Sequence, residues 1–293
     1  MSAIDLSQLP APQVVEDIDY EAAYQADLTT FREHMGDNWS ATLESDPVTK
    51  LLEVGTYRKV LNRARINDAA KALMLAYAEK SDLDQLAANV NLKRLVVQAE
   101  DLTAVPPVAE VLEEDDALRE RVQLAWEGLT TAGPRNSYIL HARSASGQVA
   151  DATAESPSPA VVEVVVLALG GDGTASAELL ETVRVGLGDD DVRPVGDRVT
   201  VKSAEILPYQ IDAKVYLAGT GPENEAVLAE CRARLAAWIN PRRRLGVEVA
   251  RSAIDAQLHI SGVVRVELTG WVDIRPTKAQ AAWCEGFNVE RGE

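Results

Sequence analysis

The glycine-rich loop Gly170–Gly173 is the segment of this sequence that most resembles a site for chemistry, because it follows an apolar strand and precedes a helix. Loops of this kind can bind phosphate through backbone N–H groups at a helix N-terminus. Here, however, no Lys-Ser or Lys-Thr pair follows, the G-x-G-x-x-G spacing is absent, and Asp172 would repel a phosphate. We therefore interpret the loop as a tight strand-to-helix turn, where glycine is the usual residue.

Metal and acid–base sites receive little support from the histidines and carboxylates. His34, His141 and His259 lie in separate segments without H-x-x-x-H or H-E-x-x-H spacing, so we expect surface or half-buried residues rather than zinc ligands. The acidic runs Glu113–Asp116 and Asp189–Asp191 could bind calcium or transfer protons. The first begins a helix, where the dipole favours negative charge, and the second lacks a calcium-loop spacing. We interpret both runs as solvated.

The one dense basic cluster is Arg242–Arg244, which follows Asn240 and Pro241. Nucleic-acid binding is weakly supported, because the formal net charge is −17 and no aromatic residues are interleaved with the arginines. Two other interpretations stay open. The cluster could be a helix C-terminus, where cations are favoured, or a contact with an acidic neighbouring copy of the chain.

Nucleophilic catalysis is also unsupported. Ser144 and Ser146 lie near His141, but no G-x-S-x-G elbow is present. Cys231 falls inside a predicted helix that needs apolar positions, which favours a buried structural residue. Cys231 and Cys284 are the two cysteines and lie in separate segments, so neither a disulfide framework nor a paired metal site is implied. We expect no catalytic, cofactor-binding or metal-binding residues, no cofactor and no enzymatic activity.

Composition sets the broad class of the protein. A chain of 293 residues is long enough for two or three domains, and 46% hydrophobic residues are typical of a globular protein. The charge of −17 disfavours nucleic acid and anionic membrane surfaces. The N-terminus lacks the pattern of a secretory signal, and the most apolar run, Val161–Leu169, is far too short to span a bilayer. We therefore expect synthesis in the cytoplasm and no membrane insertion.

The N-terminal third predicts an extended arm over 1–17 and a helical domain over 18–100. Asp46 and Pro47 form a good helix start, and the helix is expected to continue to about Ala78. It would be on the order of 45–50 Å long, which indicates a rod exposed to partners. A broad apolar stripe runs along it, made of Leu51, Leu52, Val54, Tyr57, Val60, Leu61, Ala64, Leu73, Met74 and Tyr77.

The middle of the chain connects this helical domain to the strands. Ser81 and Asp84 resemble a capping box that begins a short helix over 81–91. Residues 101–159 are expected to form a linker and a helical pair around the sequence TTAGP, with Gly133 past a helix end. Within this part of the chain, 95–114 is expected to be a linker or a small strand region. The Pro-Pro pair excludes a helix nearby, and we regard 101–107 as a hinge candidate.

The C-terminal half shows a weak repeat of about 48–50 residues, which predicts two modules related by duplication, 160–210 and 211–293. In each, a strand precedes a helix: Val161–Leu169 before Ala177–Leu187, and Ile211–Leu217 before about Glu225–Ile239. The alignment also equates KSAEI with RSAID, so that each module reads strand–helix–strand. An alternating strand follows Ser261, and the last stretch, from residue 278, is expected to be a short helix or an arm.

Four segments in this order resemble the baseplate J-like family, wedge proteins of contractile-tailed phages and R-type pyocins. They are SDLDQLAANVNLKR (81–94), DDALRERVQLAWEGLTTAGPRNSYILHARSA (115–145), SPSPAVVEVVVLALGGDG (156–173) and RPVGDRVTV (193–201). The sequence departs from the family at NVNLKR, where a glycine-containing turn is typical, and at VGD, where a Leu-Thr-Asp-like tripeptide is typical. These departures leave the local turn geometry open.

The resemblance implies an α+β fold with an N-terminal helical domain and a mechanical role. Two copies would join a smaller protein I-like partner in a wedge, and six wedges would close around the hub and spike. The N-terminal helices would receive the sheath-initiating, lysozyme-like protein W, and the C-terminal modules would form a ring whose widening triggers sheath contraction. The protein would be located in the host cytoplasm during assembly and then in the baseplate. A cell-wall-degrading tail hydrolase and a soluble binding module are the alternatives.

Overall fold

The computed structural model describes residues 5–36, 43, 45–126, 134–189, 192–194, 196–218, 221, 223–240 and 243–292. The chain forms two compact units. Unit 1 comprises Met1–Lys93 and Asp115–Val122, and unit 2 comprises Arg94–Glu114 and Gln123–Glu293. The turn that we expected at Gly133, the cluster residue Arg242 and most of the Asp189–Asp191 run lie outside the described residues.

Helices and mixed sheets confirm the predicted α+β class, with N-terminal helices followed by strand–helix–strand elements. The helices are α1 (Tyr20–Met35), α2 (Pro47–Ala72), α3 (Lys80–Ala88), α4 (Asp115–Leu124), α5 (Arg135–Ala145), α6 (Ala177–Leu187), α7 (Glu223–Trp238) and α8 (Arg251–Leu258). A short 3-10 turn covers Leu6–Gln8. The strands are β1 (Val96–Gln98), β2 (Val111–Leu112), β3 (Val149–Ser158), β4 (Val161–Ala168), β5 (Arg198–Ser203), β6 (Glu205–Leu217), β7 (Val263–Leu268) and β8 (Gln280–Arg291).

The long helix α2 begins where the sequence predicts. The Asp46 carboxylate accepts the N–H of Val48, and proline occupies the first turn. The helix ends at Ala72, so the prediction that it continues to about Ala78 is wrong. Beyond that end, the Arg119 guanidinium donates to the carbonyls of Leu75 and Ala78 and so satisfies backbone acceptors of the segment that follows.

The start of α3 also depends on a distant residue. The predicted capping box at Ser81 is wrong, because Glu79 is the N-cap residue and its side chain makes no capping hydrogen bond. Asp115, at the start of α4, instead accepts the N–H of Lys80 at 3.0 Å. Together α3 and α4 enclose the small core of unit 1, which consists of Ala78, Leu83, Ala87, Leu118 and Val122.

The first sheet of unit 2 has the strand order β3-β4-β5. Strand β4 is antiparallel to β3 and parallel to β5, and α6 makes the crossover between the parallel strands. Helices α5 and α6 cover one face, onto which the alternating residues Val162, Val164 and Val166 point. Strand β3 was missed in the sequence, where its residues were assigned to a linker and helical pair.

The second sheet has the order β7-β6-β8, with α7 and α8 packed on one face. Strand β8 is parallel to β6, so the expectation of a C-terminal helix or arm is wrong. Its alanines favour a helix intrinsically, but Ala281 and Ala282 are buried between other elements, and tertiary packing overrides propensity. Strands β5 and β6 are separated by Ala204 alone, so one extended segment enters both sheets.

The predicted duplication holds for the first part of each repeat and not for the second. Strand β4 precedes α6 just as β6 precedes α7. The equivalence of KSAEI and RSAID is wrong, since the first lies at the β5–β6 connection and the second begins α8. In the second repeat, just before α8, Val249 makes an isolated β-bridge to Ile274 where the repeat predicted a strand.

Candidate assembly surfaces

The glycine loop forms the strand-to-helix turn that the sequence predicts. Gly171 and Gly173 have φ angles of +58° and +101°, a region that L side chains rarely adopt. The Asp172 side chain accepts the N–H of Thr174 at 2.9 Å, and hydrogen bonds from Thr174 lower the pKa of that carboxyl. The loop therefore positions α6 on sheet one, and its acidic side chain is committed to the turn.

The three histidines lie on or next to separate helices, and Ser144 shares α5 with His141. His34 and His259 are exposed, and His141 is half-buried in α5. Ser146 accepts the N–H of Gln148 through its hydroxyl oxygen. Within the described ranges, no three or more His, Cys, Asp or Glu side chains are grouped so that they could hold a metal ion. None of the helices described is long and apolar enough to cross a membrane.

Both cysteines lie in the core of the second sheet, although their sequence segments are separate. Cys231 is buried in α7, as predicted, and its thiol donates to the carbonyl of Leu258 at 3.3 Å. Cys284 is buried in β8, and its thiol donates to the carbonyl of Gly286 at 3.2 Å. Burial raises the pKa of both thiols. Raised pKa values disfavour the reactive thiolate, which agrees with a structural role.

Arg243 connects the two sheets of unit 2. Its guanidinium donates to the carbonyls of Ala168 and Leu169, at 3.2 and 2.9 Å, and lies 4.8 Å from the ring centroid of Trp283. The desolvation of this group lowers its pKa. Helix α7 ends at Trp238, and Arg243 contacts the end of β4 instead, so the helix C-terminus interpretation is wrong for this residue.

A shared apolar core reinforces this junction. Leu167 on the second face of sheet one packs with Ala204, Leu245 and Ala281. The half-buried Asp151 carboxylate accepts the N–H of Leu245 at 2.9 Å across the junction. Desolvation raises the pKa of Asp151, and the hydrogen bond from Leu245 opposes that shift. The two sheets are therefore joined by apolar contacts and by hydrogen bonds of half-buried polar side chains.

Side chains also close the outer edge of β8. Asn240 donates its amide to the carbonyl of Cys284 at 2.9 Å, and its side-chain oxygen accepts the N–H of the same residue at 3.0 Å. Five residues further along the strand, Arg232 donates twice to the carbonyl of Val289, at 3.1 and 2.7 Å. Backbone groups that would otherwise pair with another strand are thus satisfied within the chain.

In unit 1, α1 packs against a polar stripe of α2. Thr56 donates to the Asp27 carboxylate at 2.9 Å, and Lys59 forms an ion pair with the same carboxylate at 2.7 Å. The hydrogen bond from Lys59 is the main cause of the lowered pKa of Asp27. Further along, Asn67 accepts the N–H of Glu16 and donates to its carbonyl. The inner surface of α2 is therefore hydrophilic.

The opposite side of α2 is apolar and exposed. Leu51, Val54 and Leu61 are 72%, 50% and 49% exposed, and they follow one another at spacings that place them on one helix face with Arg58 and Arg65. We call these five residues the α2 face. A helix in a soluble protein normally turns its apolar side inward, whereas α2 also presents these three apolar residues to solvent. The predicted apolar stripe is thus exposed at Leu51, Val54, Tyr57 and Leu61, while Leu52, Val60 and Ala64 are half-buried.

An acidic hairpin, residues 94–114, occupies the predicted linker. Strands β1 and β2 are antiparallel, and beyond them Asp101 and Val108 exchange two backbone hydrogen bonds of 2.9 Å. Because these bonds tie its two ends together, the loop 102–107 cannot change the direction of the flanking chain. The hinge interpretation of 101–107 is therefore wrong. At the base, the buried carboxylate of Glu113 accepts the N–H of Leu95 at 3.1 Å, so this part of the predicted solvated run is structural.

The chain is also similar in sequence to known proteins of one family. The sequence model of the baseplate J-like N-terminal domain matches residues 44–101, and that of the baseplate J-like central domain matches 130–203. Baseplate protein J of Escherichia phage P2 is 45% identical over 299 residues, an alignment that covers 100% of this chain and 99% of that protein.

A solved structure, the 6-fold symmetrised cryo-EM structure of the anti-feeding prophage (AFP) baseplate, also matches the chain. It shares 13% sequence identity with a TM-score of 0.38, and the match covers 65% of this chain and 47% of that one. The chain therefore spans about half the length of that neighbour.

Proposed function

Because the chain belongs to the baseplate J-like family, we propose that it is a structural protein of a contractile-tail baseplate, which acts by binding other proteins and not by catalysis. Family membership follows from the full-length match at 45% identity to baseplate protein J of phage P2. The structural observation that supports the role is the α2 face, because an exposed apolar helix face bordered by charge is typical of protein–protein contacts.

The spacing of the α2 face indicates what it binds. Leu51, Val54, Arg58, Leu61 and Arg65 alternate at three and four residues, the period of a seam that packs against another helix. Full burial of a leucine or valine contributes about 1.5–3 kcal/mol, so the three apolar residues can support a specific helical contact.

Charge indicates the character of that helix. Helix α2 carries six basic and two acidic residues, a net charge of +4 within a chain of −17. Arg58 and Arg65 lie in the seam itself, so a parallel pairing of two α2 helices would oppose arginines. A helix with acidic residues beside its apolar positions is the complementary partner.

The finer proposal follows the family. Two copies of the chain and a smaller, protein I-like component form a wedge, and six wedges surround the hub and spike and receive a protein W-like sheath initiator. The wedge is built in the host cytoplasm and is then part of the baseplate of a phage or pyocin. The division into an arm (1–17), a helical domain (18–100), a linker with a helical pair (101–159) and two modules (160–210 and 211–293) stays a prediction. So does the absence of catalytic, cofactor and metal residues.

Light scattering tests the proposal directly. The full chain is measured alone and after co-expression with the smaller protein encoded beside it, and we expect a defined complex of two copies with one partner. Leu61→Glu is expected to abolish that complex without lowering the thermal midpoint. Val185→Glu, a matched change at a residue 60% exposed on α6, is expected to leave it intact.

Two results would contradict parts of this account. A wild-type chain that stays monomeric with every neighbouring protein would refute the wedge role and favour the soluble binding module. A complex that persists in Leu61→Glu would show that the partner binds elsewhere than the α2 face.

A further inference from the structure

The tip of the acidic hairpin exposes apolar side chains far more than its surroundings do. Val105 is 99% exposed and Leu102 is 72% exposed. Single exposed apolar residues are normal on a protein surface, but several on one short element indicate an interaction site. Val96, Val111 and Leu112 on the two strands of the same hairpin are also exposed.

Hydrogen bonds made by Asp101 order the backbone of the loop that carries these side chains. Besides its backbone bonds with Val108, Asp101 accepts the N–H and hydroxyl of Thr103, at 2.8 and 2.6 Å, and the N–H of Ala104 at 3.2 Å. Those hydrogen bonds, the hydroxyl of Thr103 first, lower the pKa of Asp101. A loop that is already ordered loses little conformational entropy when it binds, which favours recognition.

The base of the hairpin is fixed to the rest of unit 2. Arg94 donates to the carbonyl of Glu113 at 2.6 Å. Gly147, just before β3, lies so close to β1 that a Cβ there would be 2.7 Å from the carbonyl oxygen of Val96. The apolar tip therefore projects from a rigid support.

Beyond Arg94 at its base, the hairpin carries only acidic charges. Between Leu95 and Leu118 the sequence has no lysine, arginine or histidine. Glu100, Asp101 and Glu110 are exposed around the tip. An apolar tip with an acidic border is complementary to an apolar pocket bordered by lysine or arginine.

We propose that the acidic hairpin inserts Val105 and Leu102 into an apolar, basic-bordered pocket on a different baseplate protein. This inference rests on the proposed baseplate role and deepens it by adding a second contact. A second copy of the chain is disfavoured as the occupant, because it has 46 acidic against 29 basic residues. The α2 face, with its seam spacing, suits a helix and not a loop tip.

A photo-crosslinker both tests the contact and identifies the partner. Benzoylphenylalanine replaces Val105 in the full chain, particles are assembled and irradiated, and crosslinked peptides are identified by mass spectrometry. We expect one crosslinked segment, from another protein, with apolar residues next to lysine or arginine. The same crosslinker at Val185 is expected not to reach that segment.

A charge substitution gives an independent measurement. Val105→Lys is expected to lower the yield of complete particles about tenfold or more, because it places a cation in a basic-bordered pocket. The complex with the smaller protein and the thermal midpoint are expected to be unchanged. Absence of a crosslink, a crosslink to a second copy, a segment without basic residues, or a normal particle yield would each overturn the inference. If the wild-type chain did not form the complex with the smaller protein, the proposed function itself would be refuted instead.

Discussion

Gly173→Ala should destabilise the protein more than the same change at its neighbours, for reasons that the turn geometry makes quantitative. Gly173 has φ +101°, and a Cβ there would lie 2.5 Å from the Cδ1 of Leu167 and 3.2 Å from the Nε of Arg243. Leu167 is fully buried, so its methyl group cannot move without displacing the junction core. The added methyl therefore strains the backbone and overpacks the contact between the sheets.

The two contributions can be separated. A left-handed backbone costs an L residue about 1–2 kcal/mol, and overpacking of a core costs about 1–3 kcal/mol. Gly173→Ala is therefore expected to lower the free energy of unfolding by about 2–5 kcal/mol. Gly171 has φ +58° with no atom within 4 Å of a built Cβ, so Gly171→Ala should cost the backbone contribution alone. Gly170 has neither constraint, and Gly170→Ala should change stability by less than about 0.5 kcal/mol.

Urea denaturation followed by circular dichroism and tryptophan fluorescence measures the three variants. The expected order of destabilisation is Gly170→Ala, then Gly171→Ala, then Gly173→Ala. Trp283 lies beside Arg243 at the junction, so its emission should change most in the Gly173 variant. Equal stability of the Gly171 and Gly173 variants would refute the packing argument, and three equal values would refute the backbone argument too.

Two further predictions concern the second sheet. Asn240→Ala is expected to cost about 1–3 kcal/mol in urea denaturation, because it leaves both backbone groups of Cys284 without their side-chain partner. Asn240→Asp keeps the acceptor for the N–H of Cys284 but places a second acceptor against its carbonyl, so it should not restore the stability lost in Asn240→Ala; wild-type stability in Asn240→Asp would contradict this assignment. Cys231 and Cys284 should resist iodoacetamide in native protein at about pH 8 and react fully in urea, since both are buried and burial raises the pKa of both thiols. Because the folded pKa is raised, the thiols leave the free energy of unfolding unchanged below their unfolded pKa of about 8.5, and that free energy falls as pH rises above this value. Labelling of folded protein at pH 8 would contradict burial.

Local features of the sequence were sufficient for some elements and insufficient for others. Asp46 and Pro47 predict the start of α2, because a cap and a first-turn proline act within a few residues. The segment that follows the same helix is held by Arg119, which is 44 residues from the Leu75 carbonyl that it binds. Asp115 likewise caps α3 from 35 residues away. No local pattern contains these contacts.

The candidate surfaces divide in the same way. The apolar period of α2 was visible in the sequence, but its exposure depends on α1 covering the polar side through Asp27 and Thr56. The Pro-Pro segment predicted a break in regular structure, which is confirmed, yet its interpretation as a hinge missed the bonds between Asp101 and Val108. Arg243 was visible as part of a basic cluster, and its junction role required the fold.

The continuity of β5 and β6 has a mechanical consequence. Ala204 is the one residue between them, and its N–H is bonded to the carbonyl of Val166 in β4. A tension applied along β5 passes into β6 through the backbone without first straightening a loop. Where β5 lies beside β4, the pairs from Val161 with Arg198 to Val166 with Ser203 carry such a load in shear, so the bonds share it instead of opening one after another. A load applied along this segment of unit 2 is therefore expected to extend it little.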